Sequence, residues 1–99
     1  MKFLVFRRPR VSSGNIPTGK AIREHKQATA YRVKEGIIDC IYGLPGGGGS
    51  VAIANADSLE QLNEALMATP LFLYSEFEVR PLCDYDRYME NVAAALDKR

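Results

Sequence analysis

His25 is the only histidine in the chain, and its ordinary pKa lies near neutral pH, where a side chain can both take and return a proton. Ile22, Thr29 and Val33 recur with it at helical spacing, so the predicted helix turns this face towards a sheet. A neutral imidazole there would act as a general base if a substrate came within hydrogen-bond reach. It could equally fill space and donate one hydrogen bond to a backbone carbonyl. The spacing leaves both roles open.

A second group of chemically capable side chains lies between Tyr74 and Leu82. The alternation predicts a strand with Ser75, Phe77 and Val79 on one face. The opposite face is charged: Tyr74, Glu76, Glu78 and Arg80. A carboxylate that faces an oligomer interior can have its pKa raised and become a proton carrier, which makes Glu76 a second candidate base. Glu78 is more simply interpreted as a structural partner of Arg80.

Side chains suited to holding an anionic substrate are spread along the chain. The predicted substrate-binding residues are Arg7, Lys26, Tyr42, Tyr74 and Arg80. Metal chemistry is not expected, because one histidine and the scattered Cys40 and Cys83 cannot build a tetrahedral site. The run Gly46–Gly49 lacks the Lys-Ser/Thr of a phosphate loop and precedes a predicted strand, which favours a hairpin turn over a nucleotide site. We therefore predict no cofactor and no metal.

The elements that must position these residues follow the order βαββαβ with an extra C-terminal helix. Strands are predicted at 2–7, 37–42, 50–54 and 74–82. Helices are predicted from Thr18 to about Glu35, from Asp57 or Ser58 to Thr69, and from Asp84 or Asp86 onwards. Gly36 suits a left-handed helix end. This order indicates one α+β domain over residues 1–99 with a ferredoxin-like fold.

The first strand is apolar on both faces, with Phe3 and Val5 on one and Leu4 and Phe6 on the other. Helices on one side of a small sheet cover only one of these faces. The second must be covered by another subunit, so we expect a homodimer or a larger ring.

Nucleic acid and membrane partners are not expected. A βαββαβ fold could bind RNA, but the third strand, SVAIA, has no stacking aromatic residues. No apolar run approaches the roughly 20 residues that span a bilayer. The apolar FLVF near the start precedes arginines, the reverse of a signal peptide. We expect a cytoplasmic protein in which Cys40 and Cys83 are unpaired thiols.

The sequence also resembles the muconolactone isomerase family. The pattern D-S-x-x-x-L…L-x-x-x-P-L-F-x-Y-x-x-x-E-V-x-P-L, from Asp57 to Leu82, is similar to that family's C-terminal half. The opening Met1–Val5 and the chain length agree too. The resemblance implies a ferredoxin-like fold paired into a dimeric α+β barrel. It aligns Glu76 with an acidic position of the family, and Glu24 and Lys26 with an E-x-K pattern in the first helix.

The resemblance implies a cofactor-independent isomerase-like enzyme that moves a proton on a small lactone or oxygenated carboxylic acid. The base would be His25 or Glu76. Two alternatives remain open at this point: a cyclase or cofactor-free monooxygenase of a natural-product pathway, and a non-catalytic small-molecule-binding or assembly module. Enclosed space touching His25 would favour the enzymes.

Overall fold

Four strands and three helices form the α+β arrangement that the sequence predicts. The computed structural model describes residues 1–10 and 16–98. The strands are β1 (Lys2–Pro9), β2 (Ile38–Gly43), β3 (Ser50–Asn55) and β4 (Ser75–Leu82), and the helices are α1 (Gly19–Lys34), α2 (Leu59–Met67) and α3 (Tyr85–Asp97). A short 3-10 turn, Phe72–Tyr74, leads into β4. The fold class is confirmed as ferredoxin-like.

The sheet is antiparallel throughout, in the order β2-β3-β1-β4. β1 is therefore a central strand, as its apolar character predicts. Val5 lies opposite Val79 on β4 and Ala52 on β3. The sheet thus places the two outer strands, β2 and β4, on either side of a buried centre.

Helix starts and ends follow the predicted local chemistry. The Thr18 hydroxyl accepts a hydrogen bond from the Ala21 N–H at 3.1 Å, and the Ser58 hydroxyl accepts one from the Gln61 N–H at 3.1 Å. The Gln61 side chain in turn accepts from the Asp57 N–H at 2.6 Å, which completes a reciprocal cap. Gly36, after α1, has φ of 77°, a left-handed conformation that glycine adopts without steric cost.

The core lies between the sheet and α2. Phe3, Val5, Ala54, Ala56 and Leu62 form its buried cluster, and burying each large apolar side chain contributes about 1.5–3 kcal/mol. Leu66, Phe77 and Val79 pack against it. The alternation predicted for β4 is confirmed, because Phe77 and Val79 face the helices.

β2 departs from the predicted pattern. The sequence places Ile38 on the face of Cys40 and Tyr42, opposite to Ile37 and Ile41. In the structure the register shifts between Ile38 and Cys40, so that Ile38 lies opposite the buried Ala54 and Ile41 opposite the buried Ala52. This irregularity puts one extra residue in the strand, and both isoleucines face the helices.

Among the described residues, no helix covers the other face of the sheet. The register aligns Leu4 and Phe6 of β1 with Ile53 and Val51 of β3. Charged residues of β4 border this apolar patch: Glu78 bonds Arg80 at 2.7 Å and Arg8 at 3.1 Å, which confirms Glu78 as a partner of Arg80. We call this surface the open face.

α3 stands apart from this body. Asp84 caps it by accepting a hydrogen bond from the Arg87 N–H at 3.0 Å, as predicted. None of its residues is buried, and the chain extends 56 Å along its longest axis and 30 Å along the next. The apolar residues that recur along it at helical spacing are all exposed: Tyr85, Met89, Val92 and Leu96.

Within residues 1–10 and 16–98, no helix combines the length and the apolar character needed to cross a membrane.

Candidate functional site

A cavity of about 70 Å³ opens between the sheet and the two helices α1 and α2. A volume of this size holds several waters or a small organic group. Every strand contributes to its wall, and α1 covers one side. His25 is among the residues that line it, and the cavity is partly open to solvent.

The walls are mostly apolar. Val5 of β1, Ile41 of β2 and Ala52 of β3 form the floor, with Leu62 of α2 and Phe77 of β4 on one side. Six of the lining residues have polar side chains: Arg7, His25, Thr29, Arg32, Ser50 and Thr69. An apolar pocket with a few convergent polar groups is the usual form of a small-molecule site.

His25 is half-buried in this wall. Burial lowers the pKa of His25, because the charged imidazolium loses hydration, and the positive charges of Arg7 and Arg32 lower it further. His25 is therefore neutral at neutral pH and has a free lone pair. Its Nδ1 is buried and has no hydrogen-bond partner among the residues that the structure describes.

Arg7 reaches the cavity from β1, and β4 holds one end of it. One terminal nitrogen, Nη1, donates a hydrogen bond to the Ser75 hydroxyl at 3.2 Å. The Ser75 hydroxyl donates to the Leu71 carbonyl at 2.7 Å, and Ser75 itself is only 3% exposed. Burial lowers the pKa of Arg7, yet a guanidinium stays charged at any physiological pH. Its Nε is buried and has no partner within the described residues.

Arg32 lines the cavity and was not among the residues predicted from the sequence. It lies seven positions after His25 on α1, and the spacing 25, 29, 32 defines the helix face that lines the cavity. The predicted face used Ile22 and Val33 instead. That part of the prediction is wrong, because Ile22 is 46% and Val33 40% exposed. The helix turns its polar residues, rather than its apolar ones, towards the cavity.

The structure brings together only two of the predicted site residues, Arg7 and His25. Lys26 is exposed on α1 and does not line the cavity. Tyr74 is half-buried in the turn before β4, where its carbonyl accepts a hydrogen bond from the Arg10 N–H at 2.8 Å.

Three predicted residues belong to the open face. Tyr42 pairs with Val51 in the sheet and is 70% exposed. Arg80 pairs with Leu4, and Glu76 with Arg8. Glu76 also borders a separate groove beside Arg10, on the outer side of β4. Within one subunit the sheet thus separates Glu76 from His25, so the two candidate bases do not share a site.

Chemically, the cavity offers a neutral base next to two permanent positive charges. A carbanion or enolate formed at the base would be stabilised by those charges. In residues 1–10 and 16–98, no three His, Cys, Asp or Glu side chains lie close enough together to hold a metal ion.

Comparison with known proteins identifies the family and agrees with the fold. The sequence model of muconolactone delta-isomerase matches residues 1–87. A crystal structure of muconolactone isomerase is similar, with a TM-score of 0.75 and 24% identity over 86% of this chain and 91% of that one. A second similar structure is the 5-chloro-2-hydroxyhydroquinone dehydrochlorinase TftG of Burkholderia phenoliruptrix AC1100, in complex with 2,5-dihydroxybenzoquinone. Its TM-score is 0.63 and its identity 17%, over 88% of this chain and 98% of that one.

Among curated proteins, none matches the sequence. The family match covers all four strands and both helices that border the cavity, and it ends at the start of α3. The chain belongs to the muconolactone delta-isomerase family.

Proposed function

We propose that this protein is a cofactor-independent enzyme that moves a proton on a small lactone or oxygenated carboxylic acid, with His25 as the base. The observation that carries the proposal is the cavity between the sheet and α1, where a neutral His25 lies with Arg7 and Arg32. Membership of the muconolactone delta-isomerase family supports the same chemistry.

The proposed step transfers one proton twice. The lone pair of the neutral imidazole takes a proton from a carbon next to a carbonyl, and the C–H electron pair moves into an enolate. Arg7 and Arg32 stabilise the negative charge of that enolate. The imidazolium then returns the proton to a second carbon of the same molecule. Atoms and charges balance, so no oxidant or other reactant is needed.

For the other predicted site residues we propose the roles predicted from the sequence, with less structural support than the role of His25. Glu76, Tyr42 and Arg80 lie on the open face and would act only in a space between subunits. Lys26 lies beside His25 in sequence and would act from the outside of α1. Their exposure argues for His25 as the main base.

Replacing His25 tests the proposal. With muconolactone as substrate in D₂O, the wild-type protein should incorporate deuterium and isomerise the substrate. His25→Gln should lower turnover by the ~10²–10⁴-fold typical of a missing general base. Lys34→Gln is the matched control, because it removes a positive charge at an exposed position on the same helix, outside the cavity. If His25→Gln gives a folded far-UV circular dichroism spectrum and full turnover, His25 is not the base. If Glu76→Gln alone abolishes turnover, the base is Glu76 on the open face.

We also propose that two copies pair through the open face into a dimeric barrel. No helix of residues 1–10 and 16–98 covers the central apolar residues Leu4, Phe6, Val51 and Ile53, and a second sheet would cover them. Phe6→Glu should then give a monomer in light scattering, whereas Leu73→Glu, at a residue that is 70% exposed and off this face, should leave the assembly unchanged. A wild-type monomer at micromolar concentration would refute the barrel.

We also propose that the protein is cytoplasmic, where Cys40 and Cys83, both free thiols here, stay reduced.

A further inference from the structure

Protonation of His25 in this cavity is electrostatically unfavourable. His25 must carry a proton during the proposed transfer, and the charged groups that line the cavity with it are Arg7 and Arg32. Three positive charges would then share one small, mostly apolar space. We propose that the ligand's own carboxylate binds between Arg7 and Arg32, and that this bound anion is what lets His25 hold a proton. The inference rests on the proposed function and assigns the ligand class of the site.

The described residues that line the cavity with His25 include no negatively charged side chain. β1 contributes Arg7, and α1 contributes Arg32 and the hydroxyl of Thr29. The lining from β2, β3, α2 and β4 is uncharged. Residues 11–15, for which the structure gives no description, are Val-Ser-Ser-Gly-Asn and carry no charged side chain. Within the described residues, neither arginine forms an ion pair with an acidic side chain.

Two buried polar atoms mark the same place. Arg7 Nε and His25 Nδ1 have no hydrogen-bond partner among the described residues, although buried polar groups are nearly always paired. Both residues line the cavity, Arg7 from β1 and His25 from α1, and the charge of Arg7 is close enough to lower the pKa of His25. A ligand with acceptor oxygens is the kind of molecule that would complete this environment.

The guanidinium groups favour a carboxylate. Arginine presents a planar fork of N–H donors that matches two carboxylate oxygens, and it keeps its charge when buried. Ser75 holds Nη1 of Arg7, so the orientation of this fork is set before a ligand arrives. The apolar floor suits a short carbon skeleton, and the volume of about 70 Å³ limits its size.

Thermodynamic linkage makes the inference measurable. If the anion makes protonation of His25 easier, then protonation of His25 must strengthen anion binding by the same factor. A carboxylate near the imidazole raises its pKa, whereas a neutral isostere of the same shape does not. The apparent affinity for a carboxylate should therefore rise as the pH falls through the pKa of His25 in the complex.

NMR can test this without turnover, because the single histidine gives one assignable imidazole C2–H signal. The pKa of His25 is measured in the full chain with sodium acetate, with acetamide, and with sodium chloride at equal ionic strength. We expect acetate to raise this pKa by about one pH unit, as a nearby opposite charge does, and acetamide to leave it unchanged. Arg32→Gln should abolish most of the acetate effect. Lys34→Gln, an exposed position on the same helix, is the control and should retain it.

The outcomes separate this inference from the proposed function. An unchanged His25 pKa at saturating acetate, or equal shifts with acetate and chloride, overturns the inference even if His25→Gln abolishes turnover. A selective acetate shift together with full turnover by His25→Gln would support the anion site and refute the proposed proton transfer. If Arg32→Gln fails to fold, the comparison of acetate with acetamide in the wild-type protein still decides the matter.

Discussion

Ser75 connects the stability of the fold to the geometry of the cavity, and Ser75→Ala should damage both. The hydroxyl is 3% exposed, accepts a hydrogen bond from Arg7 Nη1 at 3.2 Å and donates one to the Leu71 carbonyl at 2.7 Å. Alanine fits the same space without strain, so the substitution removes hydrogen bonds and little else. The Leu71 carbonyl keeps its bond from the Tyr74 N–H at 3.0 Å, whereas Arg7 loses its described side-chain partner.

The expected cost follows from these two bonds. A hydrogen bond between neutral groups contributes about 1 kcal/mol to stability, and a hydrogen bond from a charged donor contributes about 1.5–3 kcal/mol where water is excluded. Arg7 is half-buried, so water replaces part of the second loss. We expect the free energy of unfolding to fall by about 1–2 kcal/mol, with a tenfold or greater loss of acetate affinity because the guanidinium is no longer oriented.

Ser58→Ala provides a matched control. Ser58 caps α2 through its bond from the Gln61 N–H, and removing such a cap costs about 1 kcal/mol. Both variants should lower the urea midpoint by similar amounts, but only Ser75→Ala should weaken acetate binding, measured by the NMR shift of His25. Equal acetate affinity in the two variants would refute the positioning role of Ser75.

Two further predictions concern the backbone beside Arg7 and the pH dependence of stability. Gly49 has φ of 98°, and a Cβ there would lie 1.7 Å from the Arg7 carbonyl oxygen, so Gly49→Ala should cost more than about 3 kcal/mol in urea unfolding. Gly47→Ala, at φ of 75° with no atom within 4 Å, should cost only about 1 kcal/mol; equal losses would contradict the contact. The lowered pKa of His25 stabilises the fold above about pH 6.5, and this contribution is lost as the pH falls towards the folded-state pKa. For one titrating group, the free energy of unfolding cannot change by more than about 1.4 kcal/mol per pH unit. Between pH 7 and 5.5, His25→Gln should lose less of its free energy of unfolding than the wild type. Equal losses in the two proteins would exclude His25 as the source of the pH dependence.

The sequence predicts the fold well because its signals are local. Thr18 and Ser58 cap their helices as expected, Gly36 ends α1 in the left-handed conformation, and β4 alternates as its residues indicate. The position of β1 in the sheet centre could be inferred because both its faces are apolar. Each of these features depends on a few neighbouring residues, which a single sequence displays.

The site was predicted only in part because it depends on relations between distant elements. The register shift after Ile38 adds this residue to Ile37 and Ile41 in the cavity wall, and the residue types of β2 do not predict the shift. Arg32 lies on the same helix face as His25, but the helical spacing of apolar residues favours Val33, the next residue along the chain. A charged residue that faces a cavity resembles a surface residue in sequence, since both interrupt an apolar pattern.

The isolation of α3 has a consequence for hydrogen exchange. A helix of 13 residues is marginal in water when nothing packs against it, and no residue of α3 is buried in its own subunit. Its backbone amides should therefore exchange with solvent far faster than those of β1, whose Phe3 and Val5 are in the core. Any surface that covers Met89, Val92 and Leu96 would slow that exchange selectively. The exchange rate of α3 thus reports whether this helix is covered, independently of the cavity and of catalysis.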